Sequence, residues 1–371
     1  MLLVLTIWNT LPWLVLGWLF APQFPGGGWG LLALAVLVFL PVFVLLRGFR
    51  GRTYPSALTR LFVLRPFWYA QLFLPLLAIS GLLGILGGLF VGEPREVGRW
   101  AVDGMAVIFA VAATWGYFGT RQLVIRTLDV PIPNLPLGLE GMRIVQLSDL
   151  HVGPHTPRRQ LARIAQAVHD AKPDVIALTG DQVDDYARDV EPLGAALGTL
   201  SAPLGVFAIA GNHDVYAGWE SVRRGMEGIG WTVLVNEAVP LERRGTQFWL
   251  AGTGDPAGGR PGTSAVAPDI GRTLASVPRN GFTIVLAHNP ALWPELAARN
   301  VALTLSGHTH YGQFAIPHLE WSLASPFLAL AMGMHRRGAS VLYINPGTNY
   351  WGLPFRIGTP PEVTVVTLSR G

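Results

Sequence analysis

Residues 142–151 read MRIVQLSDLH: an apolar run, Met142–Leu147, that passes straight into Ser148-Asp149-Leu150-His151. Six mostly apolar residues bounded by polar ones predict a buried strand, so the carboxylate and the imidazole fall just past its end. Four more runs end the same way. Asp174–Thr179 leads into Gly180-Asp181, and Val206–Ile209 into Gly211-Asn212-His213-Asp214. Phe282–Leu286 ends at His288-Asn289-Pro290, and Ala302–Leu305 at Ser306-Gly307-His308-Thr309-His310. Further strands are expected at Phe248–Ala251, Val341–Ile344 and Val363–Leu368, with helices over Pro157–Ala171 and Val190–Leu200. Nearly all-apolar strands alternating with helices imply an α/β architecture whose sheets are covered on both faces. In such folds ligand chemistry gathers in the loops beyond the strand ends.

In chain order those loops deliver Asp, His, Asp, Asn, His, His and His. Carboxylate, amide and imidazole donors suit divalent ions such as Mn, Fe, Co, Ni or Zn. Five of the nine histidines (His151, His213, His288, His308 and His310) lie in these loops. In extended chain, residues i and i+2 project to one side, so Asp149 with His151, and His308 with His310, can each serve one centre. The glycines before Asp181, Asn212 and His308 let the backbone turn tightly beside it.

These five blocks resemble the calcineurin-like metallophosphoesterase superfamily, whose pattern is D-x-H, G-D, G-N-H-D, H and G-H-x-H. The resemblance runs from about Met142 to Leu368 and implies a four-layer α-β-β-α sandwich. The phrase SGHTHYGQ and the tail GLPFRIGTPPEVTVVTL are similar to the bacterial membrane-anchored branch, which more often has Gly where Tyr311 stands. The Ser/Thr protein phosphatase branch fits less well, because Asp214 stands where that branch has Glu. The resemblance implies two divalent ions: one held by Asp149, His151 and His310, the other by Asn212, His288 and His308, with Asp181 bridging both. A metal-bridging hydroxide would attack the phosphorus. His213 would protonate or stabilise the leaving oxygen, and Asp214 is a candidate for orienting His213.

The N-terminal third reads differently. Residues 1–46 contain no Asp, Glu, Lys or Arg, and four stretches are long and apolar enough to span a bilayer: about 2–20, 29–46, 67–91 and 101–120. Residues 1–128 are therefore expected to form an all-α transmembrane domain, 129–141 a proline-rich linker, and 142–371 the metallophosphoesterase domain. No basic segment precedes the first stretch and no polar chain follows it, which argues against a cleaved signal peptide. Between the second and third stretches stand five arginines and no acid (Arg47, Arg50, Arg52, Arg60 and Arg65). By the positive-inside rule that side is cytoplasmic, and so are both termini and the catalytic domain. Nine basic and three acidic residues precede Asp129, so the rest of the chain is slightly acidic. It offers no electrostatic footprint for nucleic acid. The absence of cysteine excludes disulfides, zinc–thiolate sites and thiol nucleophiles.

The expected activity is hydrolysis of a phosphodiester, pyrophosphate or phosphomonoester in a lipid-linked or nucleotide-linked substrate at the cell membrane. The competing reading is a membrane sensor or scaffold that binds metal without catalysis. A transporter fits poorly, since the spans hold few ionisable residues. Segment 317–338, rich in apolar side chains and flanked by Arg336 and Arg337, reads as a core or cap segment or as an apolar flap near the bilayer that admits a lipid. Asn236 and Asp255 resemble family loop residues with no chemistry assigned.

Overall fold

The structure, a computed structural model, describes residues 2–45, 54–154, 156–259 and 266–371. The chain divides into two compact units, Met1–Trp115 and Gly116–Gly371.

The first unit is helical. Helices α2 (Gly27–Leu45), α3 (Ala57–Leu89) and α4 (Pro94–Gly119, whose last residues belong to the second unit) are long and apolar enough to cross a membrane. Helix α1 (Leu2–Phe20) is 19 residues long and uncharged, so the expectation of about four apolar helices holds approximately. Asn9 is a polar residue within that helix. It pairs amide to amide with Gln71 of α3, at 3.0 and 2.9 Å. Each polar group thus satisfies the other where water is scarce.

Two expected boundaries move. Helix α3 begins at Ala57 rather than Phe67, capped by Ser56 and passing through a π-turn at Arg60–Leu64. Arg60 and Arg65 therefore lie on the helix, while Arg47, Arg50 and Arg52 fall outside the described residues. Helix α4 begins at Pro94 rather than Ala101, so Asp103 is an exposed residue inside the helix.

The second unit holds two six-stranded sheets. The first has the order β1-β14-β2-β3-β4-β5, built from β1 (Val124–Ile132), β2 (Arg143–Leu147), β3 (Val175–Leu178), β4 (Val206–Ala208), β5 (Thr232–Val233) and β14 (Glu362–Arg370). The second has the order β12-β13-β9-β8-β7-β6. Its strands are β6 (Glu237–Arg243), β7 (Thr246–Gly252), β8 (Thr283–Leu286), β9 (Leu303–Ser306), β12 (Gly333–Arg337) and β13 (Ser340–Ile344). A short hairpin, β10 (Ala315–Ile316) with β11 (Trp321–Ser322), stands apart from both.

The period-two alternation of β-strands assigns the layers. Ile144, Val175, Ala177, Ile284, Leu286, Leu303 and Leu305 point between the sheets and form the central core. Their neighbours Val145, Leu147, Ile176 and Leu178 point outward, under α5 (Arg158–Ala171), α6 (Val190–Leu197) and α7 (Asn212–Gly228). On the far side, Ala251, Val285 and Ala287 pack under α8 (Ile270–Thr273), and Leu342 and Ile344 under α9 (Trp293–Ala298). The result is the expected α-β-β-α sandwich.

The linker expectation needs correction. Residues 129–132 close strand β1, which runs parallel to β14 with Val124 opposite Glu362 and Ile132 opposite Arg370. The sheet unit therefore starts well before Met142. Pro131 misled the reading: proline is tolerated on an edge strand, where its missing N–H breaks no ladder on the open side, and β1 is such an edge.

Candidate metal centre

Strands β2, β3, β8 and β9 run parallel within their sheets and finish at one end of the sandwich. Their C-terminal loops gather the polar residues there. The loops turn abruptly: Asp149, His151, Asp181, His308 and His310 all have positive φ, between 41° and 72°. The expectation that i and i+2 side chains converge from extended backbone is therefore corrected. Convergence comes from left-handed turns, each costing about 1 kcal/mol or more for a residue with a Cβ and characteristic of functional loops. Two glycines are required by space rather than by φ. A methyl group at Gly211 would collide with the Asp181 carboxylate, and one at Gly307 with Ser148 and Asp149.

Two groups of donors result. In one, His310 Nε2 lies 3.2 Å from Asp149 Oδ1 and 3.1 Å from His151 Nε2. In the other, Asn212 Oδ1 lies 2.8 Å from His308 Nδ1 and 3.2 Å from His288 Nε2. Asp181 reaches both, with Oδ2 3.6 Å from His151 Nε2 and 3.4 Å from His288 Nε2. The main chain fixes the carboxylates. His308 N–H donates to both oxygens of Asp149 at 3.1 Å, and His213 N–H donates to Asp181 Oδ1 at 2.7 Å.

Protonation fits metal binding. Burial pushes His310 down to about 4 against the pull of Asp149, and burial with the nearby charge of His288 pushes His308 down to about 4. Both rings are then neutral at physiological pH, the form that ligates. Burial works against the charge on Asp181, but His288 outweighs it and holds the carboxyl below its usual range. His288 is raised in return, against its burial, by Asp181. Without metal these two form an ion pair whose proton must leave when an ion binds. Buried imidazoles, carboxylates and an amide oxygen converging at hydrogen-bond distances fit divalent ions. Asp149–His151–His310 and Asp149–Asp181–His288 each bring three donor atoms within 4.8 Å of one another.

His213 and Asp214 occupy the start of α7. The Asp214 carboxylate does not meet His213. It accepts from the main-chain N–H groups of Gln182 (3.0 Å), Val183 (3.1 Å) and Gly211 (2.9 Å). Its carboxylate thus reaches back from the first turn of α7 to the N-cap residue Gly211 and clamps the Asp181 loop, which corrects the expectation that it orients His213. His213 is oriented by Asp184, whose main-chain oxygen accepts from Nδ1 at 2.8 Å. The remaining ring nitrogen, Nε2, takes no part in that bond. The Asp184 carboxylate also approaches His151 Nδ1 at 3.5 Å, and His151, Asp184 and His213 form a further cluster of possible ligands.

Residues 142–312 match the calcineurin-like phosphoesterase family. The metallophosphoesterase YkuE of Bacillus subtilis is 32% identical over 272 residues, which cover 70% of this chain and 92% of YkuE. The chain belongs to the calcineurin-like phosphoesterase family. Members of this family are metal-dependent phosphoesterases. An Aquifex aeolicus metallophosphoesterase is 29% identical over 70% of this chain and 97% of its own length. A Danio rerio transmembrane protein with a metallophosphoesterase domain is 32% identical over 71% of this chain. The chain spans 62% of that relative's length and 56% of its Bos taurus counterpart's.

Two residues near the centre carried no role in the sequence reading. Arg356 is fully buried; its guanidinium donates to Pro346 O at 2.7 Å and to Asn349 O, and lies 3.0 Å from Nδ1 of His310. The available signal was a lone arginine in the apolar tail GLPFRI. Trp351 stands edge-on to His213 at 5.4 Å between ring centroids. Tyr311 turns away from the centre: its hydroxyl donates to Ile344 O at 2.5 Å and accepts from Gly333 N–H at 2.9 Å. Asn236 and Asp255 have local structural roles. The Asn236 oxygen accepts from Gly254 N–H and Asp269 N–H, its amide donates to Ala267 O, and Asp255 accepts from Ala257 N–H.

Proposed function

We propose that this chain is a membrane-anchored phosphohydrolase that holds two divalent ions and cleaves a phosphate ester. The carrying observation is Asp181, whose carboxylate lies between two three-donor groups and is within 3.6 Å of a ring nitrogen in each. Asp149, His151 and His310 would hold one ion and Asn212, His288 and His308 the other, with Asp181 shared. When bound, such a pair supplies an acidified water and neutralises the phosphoryl oxygens. The chain supplies the rest. Main-chain N–H groups hold the two aspartates, Asp184 fixes the ring of His213, and Nε2 of His213 delivers a proton to the leaving oxygen. Esters of lipids or nucleotides both suit such chemistry. The apolar helices support anchoring, with the catalytic unit on the cytoplasmic side.

The test is metal-reconstituted protein screened on mono- and diesters alongside Asp181→Ala. Wild type is expected to bind two ions per chain and hydrolyse at least one class. The variant is expected to lose both ions and the activity. A variant that keeps two ions would refute the shared carboxylate. A fully loaded wild type inactive on every ester would favour the non-catalytic sensor.

A further inference from the structure

Segment 319–334 presents its apolar side chains outward. Leu319, Trp321, Leu323, Phe327, Leu328 and Met334 are all exposed, Phe327 by 81%. The backbone beneath them is well held. Strand β11 pairs with β10, Ser325 Oγ accepts from Ser322 N–H at 3.0 Å, and the Tyr311 hydroxyl accepts from Gly333 N–H. These side chains are therefore displayed by a fixed scaffold, and the core reading of the segment fails for them. An exposed apolar patch of this kind marks an interaction face. Just beyond it Arg336 and Arg337 are exposed, outnumbering the segment's single carboxylate, Glu320.

The face continues to the metal centre. Leu323 N–H donates to Phe314 O, and the ring of Phe314 meets Trp321 at 6.1 Å. The adjacent Gln313 side chain exchanges hydrogen bonds with the main chain of Trp351 at 3.0 Å in each direction. Trp351, half exposed, then flanks His213. Large apolar and aromatic side chains bordered by arginine suit the interfacial layer of an anionic bilayer, where the rings enter the headgroup region and the cations meet lipid phosphates. A chain that carries membrane-length apolar helices also has a bilayer at hand.

We propose that segment 319–334 seats in the interface of an anionic lipid bilayer, and that Trp351 extends this face to the mouth of the metal centre. Given the phosphoesterase reading, on which this second half rests, the substrate is a phosphoester presented at the bilayer surface. The chain contains no cysteine, so one introduced thiol is labelled cleanly. Full-length Phe327→Cys and, as control, Asp170→Cys on α5 carry an environment-sensitive fluorophore in vesicles of phosphatidylcholine and phosphatidylglycerol. The label at 327 is expected to be quenched by spin-labelled lipid and shielded from iodide, and the label at 170 to show the opposite. A label at 327 as open to iodide as the control would overturn the docking. For the substrate half, the double variant Phe327→Asp/Leu328→Asp is compared with wild type on a vesicle-borne phosphoester and a soluble nitrophenyl diester. The ratio of the two rates is expected to fall at least about tenfold, a change of about 1.4 kcal/mol or more. An unchanged ratio would overturn it. Wild type inactive on both esters would count against the phosphoesterase reading, and the quenching result would still decide the docking.

Discussion

At the scale of single residues, His213 separates chemistry from metal binding. Its Nδ1 is engaged by the Asp184 main chain and its ring is flanked by Trp351 and Tyr216, so Nε2 is the nitrogen proposed to meet a substrate. If that nitrogen delivers the proton, His213→Ala should keep its full metal content. Its rate on alkyl esters should drop on the order of 10²–10⁴-fold, the usual worth of a positioned acid. The loss should shrink on nitrophenyl esters, because nitrophenolate departs without a proton whereas an alkoxide needs one in the transition state. An equal loss on both would make the residue an electrostatic support for the phosphoryl group. Loss of an ion would make it a ligand, as its closeness to His151 and Asp184 allows. The residues that gather at the centre were legible because their chemistry is rare in combination: Asn212 and the histidines each follow shortly after an apolar strand. Arg356 and Asp184 were not. Both act on other side chains from far along the chain or through the main chain, and no local pattern records such a contact.

At the scale of elements, the eight strands expected from apolar runs all form, because a strand covered on both faces must be apolar throughout. The strands that escaped the reading are edges. Strand β1 carries Pro131 and exposed side chains, and β12 is mostly polar at positions 335–337. With one side unpaired and one face wet, such strands have no pattern that a loop lacks. Helix α7 was missed because the G-N-H-D block reads as a turn, although Asp214, in the first turn of that helix, reaches back to its N-cap residue. The loop between β7 and α8 shows how one side chain can hold an element. Asn236 is buried, and its amide serves Gly254, Asp269 and Ala267 at 2.6–2.9 Å. Asn236→Ala strands these main-chain groups and should cost about 1–3 kcal/mol of stability. None of its partners is a proposed metal ligand, so thermal unfolding should shift down while metal content at low temperature holds. Loss of metal without loss of stability would mean that Asn236 acts on the centre and not on the loop.

At the scale of the whole molecule, the proposed membrane anchoring allows a prediction of sidedness from parity. Arginines 47, 50, 52, 60 and 65 precede or enter α3 with no acid among them, and such a cluster is retained in the cytoplasm. From that cluster to the sheets the chain has two membrane-length helices, α3 and α4. Two crossings return it to the starting side, so Gly116–Gly371 should be cytoplasmic whether or not α1 spans. Only the N-terminus depends on α1. If α1 and α2 both cross, the N-terminus is cytoplasmic; if α2 crosses alone, it is outside. A phosphatase reporter fused after Gly371 should therefore be inactive and a fluorescent reporter active. The same pair placed before Met1 then reports on α1 separately. An active phosphatase after Gly371 would mean that α3 and α4 do not both cross or that the arginine cluster lies outside. Replacing the five arginines with glutamine offers the complementary measurement: if they hold the loop inside, the C-terminal reporters should shift towards the outer side. If the reporters stay as they were, orientation is set elsewhere, for which Arg121 and Arg126 after α4 are the next candidates.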